Sequence, residues 1–156
     1  MTKKNYRPNV AIVVLNPDGY MLVCRRIDLP DVWQIPQGGV DDGEDVAEAM
    51  RRELREEVGI TTFTSIGELK EPIYYDWPQE FHRNGFTGQM QYYFLVQVAD
   101  DSEISLTPED AEQEFSEWEW VSVTEFLGRL TGFKKAPYMR AMELLRSKYS
   151  DCFASR

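Results

Sequence analysis

Cysteine, histidine, positive charge and long apolar runs are all scarce in this chain of 156 residues. Its two cysteines, Cys24 and Cys152, lie far apart and form neither a metal-spaced nor a redox pair, so both are expected as reduced thiols, Cys24 within a strand. The single histidine, His82, falls in a polar loop and receives no role. No stretch of about 18 apolar residues occurs, and Met1 to Lys4 leads into a strand rather than a signal-peptide core. A cytoplasmic protein with no membrane partner is expected. The 17 Lys and Arg against 27 Asp and Glu leave a formal net charge of −10. Such a surface repels phosphates over a Debye length, which excludes broad nucleic-acid binding and DNA as a partner. Any nucleotide or RNA substrate would have to be gripped locally. Internal repeats, low-complexity tracts and linkers are also missing. With 42% hydrophobic residues, the chain can form one domain over residues 1–156 with a sizeable core.

Strand and helix signals are mixed along the chain. Residues 10–15 are an apolar run, Asn16-Pro17-Asp18-Gly19 a turn and residues 20–26 a second strand, which predicts a β-hairpin. Further strands are expected over 33–35, before a loop at 36–39, and over 64–69, 73–77, 90–98 and 118–123. Residues 77–88 read as an exposed loop, and residues 100–114, acidic and without apolar period, as a long connection. Thr124 is the expected cap of a helix over 125–130, and Met139, Met142 and Leu145 predict a closing helix over 137–148. This mixture implies an α/β fold in which helices cover both faces of a sheet.

The densest chemistry lies in residues 38–60, GGVDDGEDVAEAMRRELREEVGI. Asp41, Asp42 and Gly43 can end a loop and supply a cap, while Ala47, Met50, Leu54 and Val58 recur at helical spacing. A helix over 44–58 with one apolar face is therefore expected, stopped by Gly59. Glu53, Glu56 and Glu57 stand at i, i+3 and i+4, so their carboxylates share an adjacent face about one turn long. Like charges so placed repel unless cations neutralise them, and hard divalent ions with oxygen ligands suit the cluster. Taken alone, the run would read as a solvated acidic face paired with Arg51, Arg52 and Arg55. Its flanks reverse that reading. Gly38, Glu44, Arg52, Glu53, Leu54, Glu56, Glu57, Gly59 and Ile60 fit the spacing G-x5-E-x7-R-E-U-x-E-E-x-G-U, where U is apolar. Chance would produce that match in roughly one window per billion.

The spacing resembles the signature of the Nudix hydrolases. The likeness reaches beyond it to Tyr6-Arg7-Pro8-Asn9-Val10, the segment from Trp33 to Gly39, Gly88-Gln89-Met90-Gln91, Glu114-Phe115 with Trp118-Glu119-Trp120-Val121, and Phe133-Lys134-Lys135. Together these are similar to the bacterial RNA pyrophosphohydrolases, a branch that overlaps with the dinucleoside polyphosphate hydrolases. The resemblance implies the Nudix fold, an α/β/α sandwich around a mixed sheet with a loop-helix-loop box. It also implies attack of water on a phosphorus of a nucleoside diphosphate linked to another group, assisted by two or more Mg2+ or Mn2+ ions. Carried over by position, Glu53, Glu56 and Glu57 are implied metal ligands, together with the Gly38 carbonyl and the distal Glu114. Either Glu53 or Glu57 is the implied base. Glu44 and Arg52 are assigned to support of the helix. Arg7, Arg26 and Lys134 match positions that contact phosphates or the RNA end, and Phe133 matches a base-stacking position. Alternation sends Tyr74 and Tyr75 to opposite faces of a strand, so at most one reaches a ligand. Asp41-Asp42 departs from the proline-containing turn of many relatives, which bears on substrate preference and not on catalysis. Three functions remain: release of pyrophosphate from a 5′-triphosphate RNA end to leave a monophosphate, a step in RNA decay; asymmetric cleavage of diadenosine tetraphosphate; and a silent nucleotide-sensing Nudix domain, which would not need the full set of glutamates. Monomer and homodimer both stay open.

Overall fold

The apolar run at residues 10–15 lacks polar alternation because both of its faces are covered. In the computed structural model, which describes residues 3–155, it forms most of strand β1 (Tyr6–Leu15). Val10, Ile12 and Val14 pack with Ala49, Met50, Leu54 and Val58 of helix α1 (Val46–Val58). Ala11, Val13 and Leu15 pack with Phe126 of helix α2 (Val123–Arg129) and with Tyr138, Ala141, Met142 and Leu145 of helix α3 (Lys135–Lys148). The result is the three-layer α/β/α arrangement that the resemblance implies.

The sheet has eight strands. Its main path runs β3 (Trp33–Gln34), β2 (Met21–Arg26), β1, β7 (Gly88–Gln97), β5 (Thr64–Glu68), and three more strands attach to it: β4 (Gln37–Gly39) to β1, β6 (Ile73–Asp76) to β7, and β8 (Phe115–Val121) to β2. Strands β1 and β7 are parallel from Tyr6↔Gly88 to Leu15↔Gln97; the other pairs are antiparallel.

The expected hairpin is real but splayed. β1 and β2 share only the register pair Leu15↔Met21, because residues 36–39, read from sequence as a loop, take the partner's place along the rest of β1. Asn9, Val10 and Ala11 pair with Gly39, Gly38 and Gln37, and the Ile12 N–H donates to the Pro36 carbonyl at 2.9 Å. β2 turns away to pair with β3 and β8, and a cleft opens where the two strands part.

Other differences are local. Helix α1 is capped by Asp45, whose side chain accepts from the Glu48 N–H at 2.8 Å, and not by Asp41, Asp42 or Gly43. Its buried stripe uses Ala49 in place of Ala47. Ser122, not Thr124, caps α2 by accepting from the Glu125 N–H at 3.1 Å. Strand β8 begins at Phe115, and α3 starts at Lys135, which puts Pro137 in its first turn, where a missing N–H is tolerated. Gly59 ends α1 as expected, at φ 75°, with its N–H on the Arg55 carbonyl at 3.1 Å. Residues 100–114 contain no helix or strand, and Glu103 ties them down by accepting from the Thr61 and Thr62 N–H groups at 3.0 and 2.8 Å. Cys24 is buried in β2, where desolvation pushes its thiol pKa up; Cys152 is half-buried, and both are free. Among the described residues no helix is long and apolar enough to cross a membrane.

Ile12 is fully enclosed between β1's neighbours and α1. Ile12→Ala should lower the unfolding free energy by about 2–5 kcal/mol, measured by urea denaturation; a loss below 1 kcal/mol would contradict the double-sided core.

Candidate active site

Glu53 and Glu57 occupy positions beside the apolar stripe of α1, so packing of Met50, Leu54 and Val58 against the sheet carries both carboxylates into the cleft. Each residue is only 8% exposed. Glu57 accepts from the backbone N–H of Gln37 at 2.9 Å. The Glu53 carboxylate lies directly on Gly38, where any Cβ would overlap it. Glu114, at the foot of the 100–114 connection, lines the same cleft. Glu56 stands on the more open side of α1 and does not line it.

Arg52 organises the loop around this group. Its guanidinium donates to both carboxylate oxygens of Glu44 at 2.9 and 3.0 Å, to the Gly39 carbonyl at 2.8 Å, to Glu53 at 2.7 Å and to Glu56 at 3.4 Å. Glu44 in turn accepts from the Asp41 N–H at 3.0 Å, closing the loop onto the helix. One guanidinium does not balance so many carboxylates. Burial raises Glu53 to about 7, against the lowering by Arg52, and the nearby charges of Glu56 and Glu114 push the same way as burial. Glu57 is driven well above the usual carboxylate range, first by burial and then by the charge of Glu53.

This donor set fits a hard divalent cation, which takes oxygen ligands and would relieve the shared repulsion. Among the described residues no three carboxylates converge into a metal cage as they stand, because Glu53 and Glu56 are turned onto Arg52.

The same cleft, of about 670 Å³, is also lined by cationic and aromatic side chains. Arg26 is held by Asp28 through two bonds, 2.9 and 2.6 Å. Lys134 is half-buried, and desolvation followed by the charge of Arg26 lowers its pKa. The Phe133 ring lies 5.5 Å from that of Phe81 and 6.4 Å from that of Tyr75. Tyr75 faces the cleft and donates to Gln89, whereas Tyr74 turns outward onto Tyr6, so only one of the two tyrosines reaches the site. The cleft thus collects Gly38, Glu53, Glu57, Glu114, Arg26, Phe133 and Lys134. Arg7 lies outside its walls, with the guanidinium against Gly39. His82 holds the loop by bonding the Trp77 carbonyl at 3.0 Å. Sequence reasoning missed Phe81 and Arg83, which line the cleft from the 77–88 loop. A 3₁₀ turn at Gln79–Phe81 sets the Phe81 ring 5.5 Å from that of Phe133, and nothing in the sequence separates Phe81 and Arg83 from the other aromatic and polar residues of that loop. A second groove, of about 640 Å³, runs between α2, α3 and residues 150–155 and contains no carboxylate cluster.

Known proteins share this architecture. The NUDIX domain family model matches residues 5–142. An RNA pyrophosphohydrolase of Nitratiruptor sp. is 36% identical over 95% of this chain and 98% of its own length. Nudix hydrolase 25 of Arabidopsis thaliana is 33% identical over 94% of this chain and 89% of its own. The solved structure of a C. elegans Ap4A hydrolase complex superposes with a TM-score of 0.68, covering 92% of this chain and 99% of that one; at 19% identity it shows the fold alone.

The raised carboxylates make stability depend on pH with a definite sign. Folded Glu53 keeps its proton up to about 7, whereas an unfolded glutamate loses it near 4.5, so its contribution to stability is complete below 4.5 and is lost as pH rises through 7. Glu57 acts in the same direction. Protein treated with a chelator should therefore melt at progressively lower temperature from pH 5 to pH 8, and millimolar Mg2+ should recover the loss at pH 8 by replacing the protons. A melting temperature that is flat over this range would count against the buried cluster.

Proposed function

The chain belongs to the Nudix family of hydrolases, and on that premise we propose that it is a metal-dependent pyrophosphohydrolase that removes pyrophosphate from the 5′-triphosphate end of RNA and leaves a 5′-monophosphate. The observation that carries this reading is that one cleft gathers the carboxylates of Glu53, Glu57 and Glu114 together with Arg26, Lys134 and Phe133. Full-length likeness to an RNA pyrophosphohydrolase at 36% identity supports the choice of substrate.

Glu53, Glu56 and Glu57, with Glu114 and the Gly38 carbonyl, would hold two or more Mg2+ or Mn2+ ions, which when bound neutralise phosphate charge and acidify water. The base is Glu53 or Glu57: burial raises the proton affinity of both carboxylates, that of Glu53 to about 7, and a carboxylate beside a bound ion can orient or deprotonate a neighbouring water. Arg26 and Lys134 grip the phosphates, Arg26 with its guanidinium pre-oriented by Asp28, and Arg7 adds a contact beside Gly39. Phe133 stacks on a base without demanding its identity. The net charge of −10 limits the grip to the first one or two nucleotides. The whole chain acts as one unit in the cytoplasm, in RNA decay.

The three neighbouring rings of Tyr75, Phe81 and Phe133 favour a second reading, a dinucleoside polyphosphate hydrolase, because they offer stacking surface for more than one base. A silent sensing domain fits poorly with a complete carboxylate set.

Hydrolysis of 5′-triphosphate RNA and of diadenosine tetraphosphate at equal concentration with Mg2+ separates these readings. RNA is expected to be cleaved faster; RNA left intact while the dinucleotide is cut selects the second. Glu56→Gln should reduce either activity by more than the roughly 10–100-fold typical of changes outside the ligand shell. Full activity in that variant would remove the metal assignment. Hydrolysis in ¹⁸O-labelled water shows which phosphorus is attacked. Phe133→Ala should raise KM, equivalent to about 1–3 kcal/mol of lost stacking, with kcat nearly unchanged; a drop confined to kcat would refute the stacking role.

A further inference from the structure

Asn9 and Gln91 belong to two of the segments that resemble the RNA pyrophosphohydrolases, yet neither lines the cleft. They are nonetheless 1% and 2% exposed, deep in the sheet. A sheet interior accepts amide side chains only where their polar atoms are bonded, and here they form one continuous chain. Gln91 stands opposite Asn9 in the β1–β7 register, and Asn9 opposite Gly39 in the β1–β4 register. The Tyr93 hydroxyl donates to Gln91 Oε1 at 3.2 Å, Gln91 Nε2 donates to Asn9 Oδ1 at 2.9 Å, and Asn9 Nδ2 donates to Gln37 Oε1 at 3.0 Å. Gln37 then gives its backbone N–H to Glu57 Oε1 at 2.9 Å.

The bonds cross three strands and pass from one face of the sheet to the other. Asn9 alternates with Val10, which packs on α1, and shares its face with Ala11, which packs in the α2 and α3 core. Gln37 is therefore held by its side chain from the α2 and α3 side, while its backbone holds Glu57 on the α1 side. β4 needs such an anchor, because two of its three residues are glycines with no side chains to fix them.

We infer that Asn9 and Gln91 are positioning residues for the metal-binding carboxylates. Through Gln37 they keep the β4 backbone where its amide meets Glu57 and where Gly38 lies flat beneath Glu53. The inference rests on the reading of Glu53 and Glu57 as metal ligands. Breaking the chain of bonds leaves buried polar atoms without partners and frees β4 to shift, and misplacement of a ligand's support acts on metal affinity and turnover rather than on substrate binding.

The test compares wild type with Gln91→Met, which keeps the side-chain length and removes the amide, and with Gln91→Glu. The glutamate can accept from both the Tyr93 hydroxyl and Asn9 Nδ2, after which Asn9 Oδ1 accepts from a reoriented Gln37 amide, so the connection survives. Three quantities are read: hydrogen exchange of the Gln37 amide by NMR in chelator-treated protein, the Mn2+ concentration for half-saturation by electron paramagnetic resonance, and kcat and KM on 5′-triphosphate RNA with Mg2+. Gln91→Met should speed exchange at Gln37, raise the Mn2+ half-saturation and lower kcat, each by roughly 10–100-fold, with KM within about twofold; Gln91→Glu should recover most of each loss. A merely structural role would lower the melting temperature and leave exchange at Gln37 and Mn2+ binding at wild-type levels, and that result would overturn the inference. Should Gln91→Met not fold, Asn9→Ser, too short to reach Gln37, is read by the same three measurements and the same criteria. Wild-type protein that binds Mn2+ but leaves RNA uncleaved would refute the substrate, with exchange and Mn2+ binding still deciding the positioning role. Wild-type protein that binds no Mn2+ would overturn both.

Discussion

Two buried glutamates side by side set the terms for the rest of this protein. Glu53 and Glu57 repel each other, and both lose hydration where they sit. A helix bearing them would turn them to solvent unless something stronger held its other positions inward. That force is the apolar stripe of Ala49, Met50, Leu54 and Val58 against β1, whose packing fixes the rotation of α1 and leaves the carboxylates no outward path. Arg52 and the Gln37 amide offset part of the cost of repulsion and lost hydration, and the remainder raises the proton affinity of both carboxylates. On the proposed function, divalent cations held there would invert the local field and let a chain with a net charge of −10 draw in phosphates.

How much of this could be read in the sequence depended on how local the cause was. The stop at Gly59 and the buried character of β1 follow from neighbours within a few residues, and the closing helix needed only its own periodicity. The caps were misplaced by a few positions, because Asp41, Asp42 and Asp45, or Ser122 and Thr124, offer the same oxygen to a helix start, and only the packed helix decides which one faces its N–H groups. The splayed hairpin was not legible. Pro36-Gln37-Gly38-Gly39 carries no strand signal, and its pairing with β1 is set by backbone fit with a segment about 28 residues away, as in the bond from Asn9 to Gln37. Glu114 shows the same limit, since only the resemblance distinguished it within an acidic stretch. Phe81 and Arg83 had no pattern around them, and the structure alone brings them to the cleft.

The least legible element turns out to join fold to chemistry. β4 is the wedge that parts β1 from β2 and so opens the cleft, and it also supplies the Gln37 amide and the flat Gly38 surface on which the carboxylates rest. One short segment cannot be optimised for either task alone. A side chain at Gly38 would strengthen an ordinary strand but collide with Glu53, and one at Gly39 would collide with the Arg7 guanidinium. With those two positions confined to glycine, rigidity has to come from outside the segment. The buried amides that cross from β7 supply it on one face, and the Arg52 bond to the Gly39 carbonyl supplies it on the other. The polar interior of this sheet is thus the counterpart of the glycines at its mouth: the flatness needed to seat the carboxylates removes local order, and hydrogen bonds from two strands away restore it.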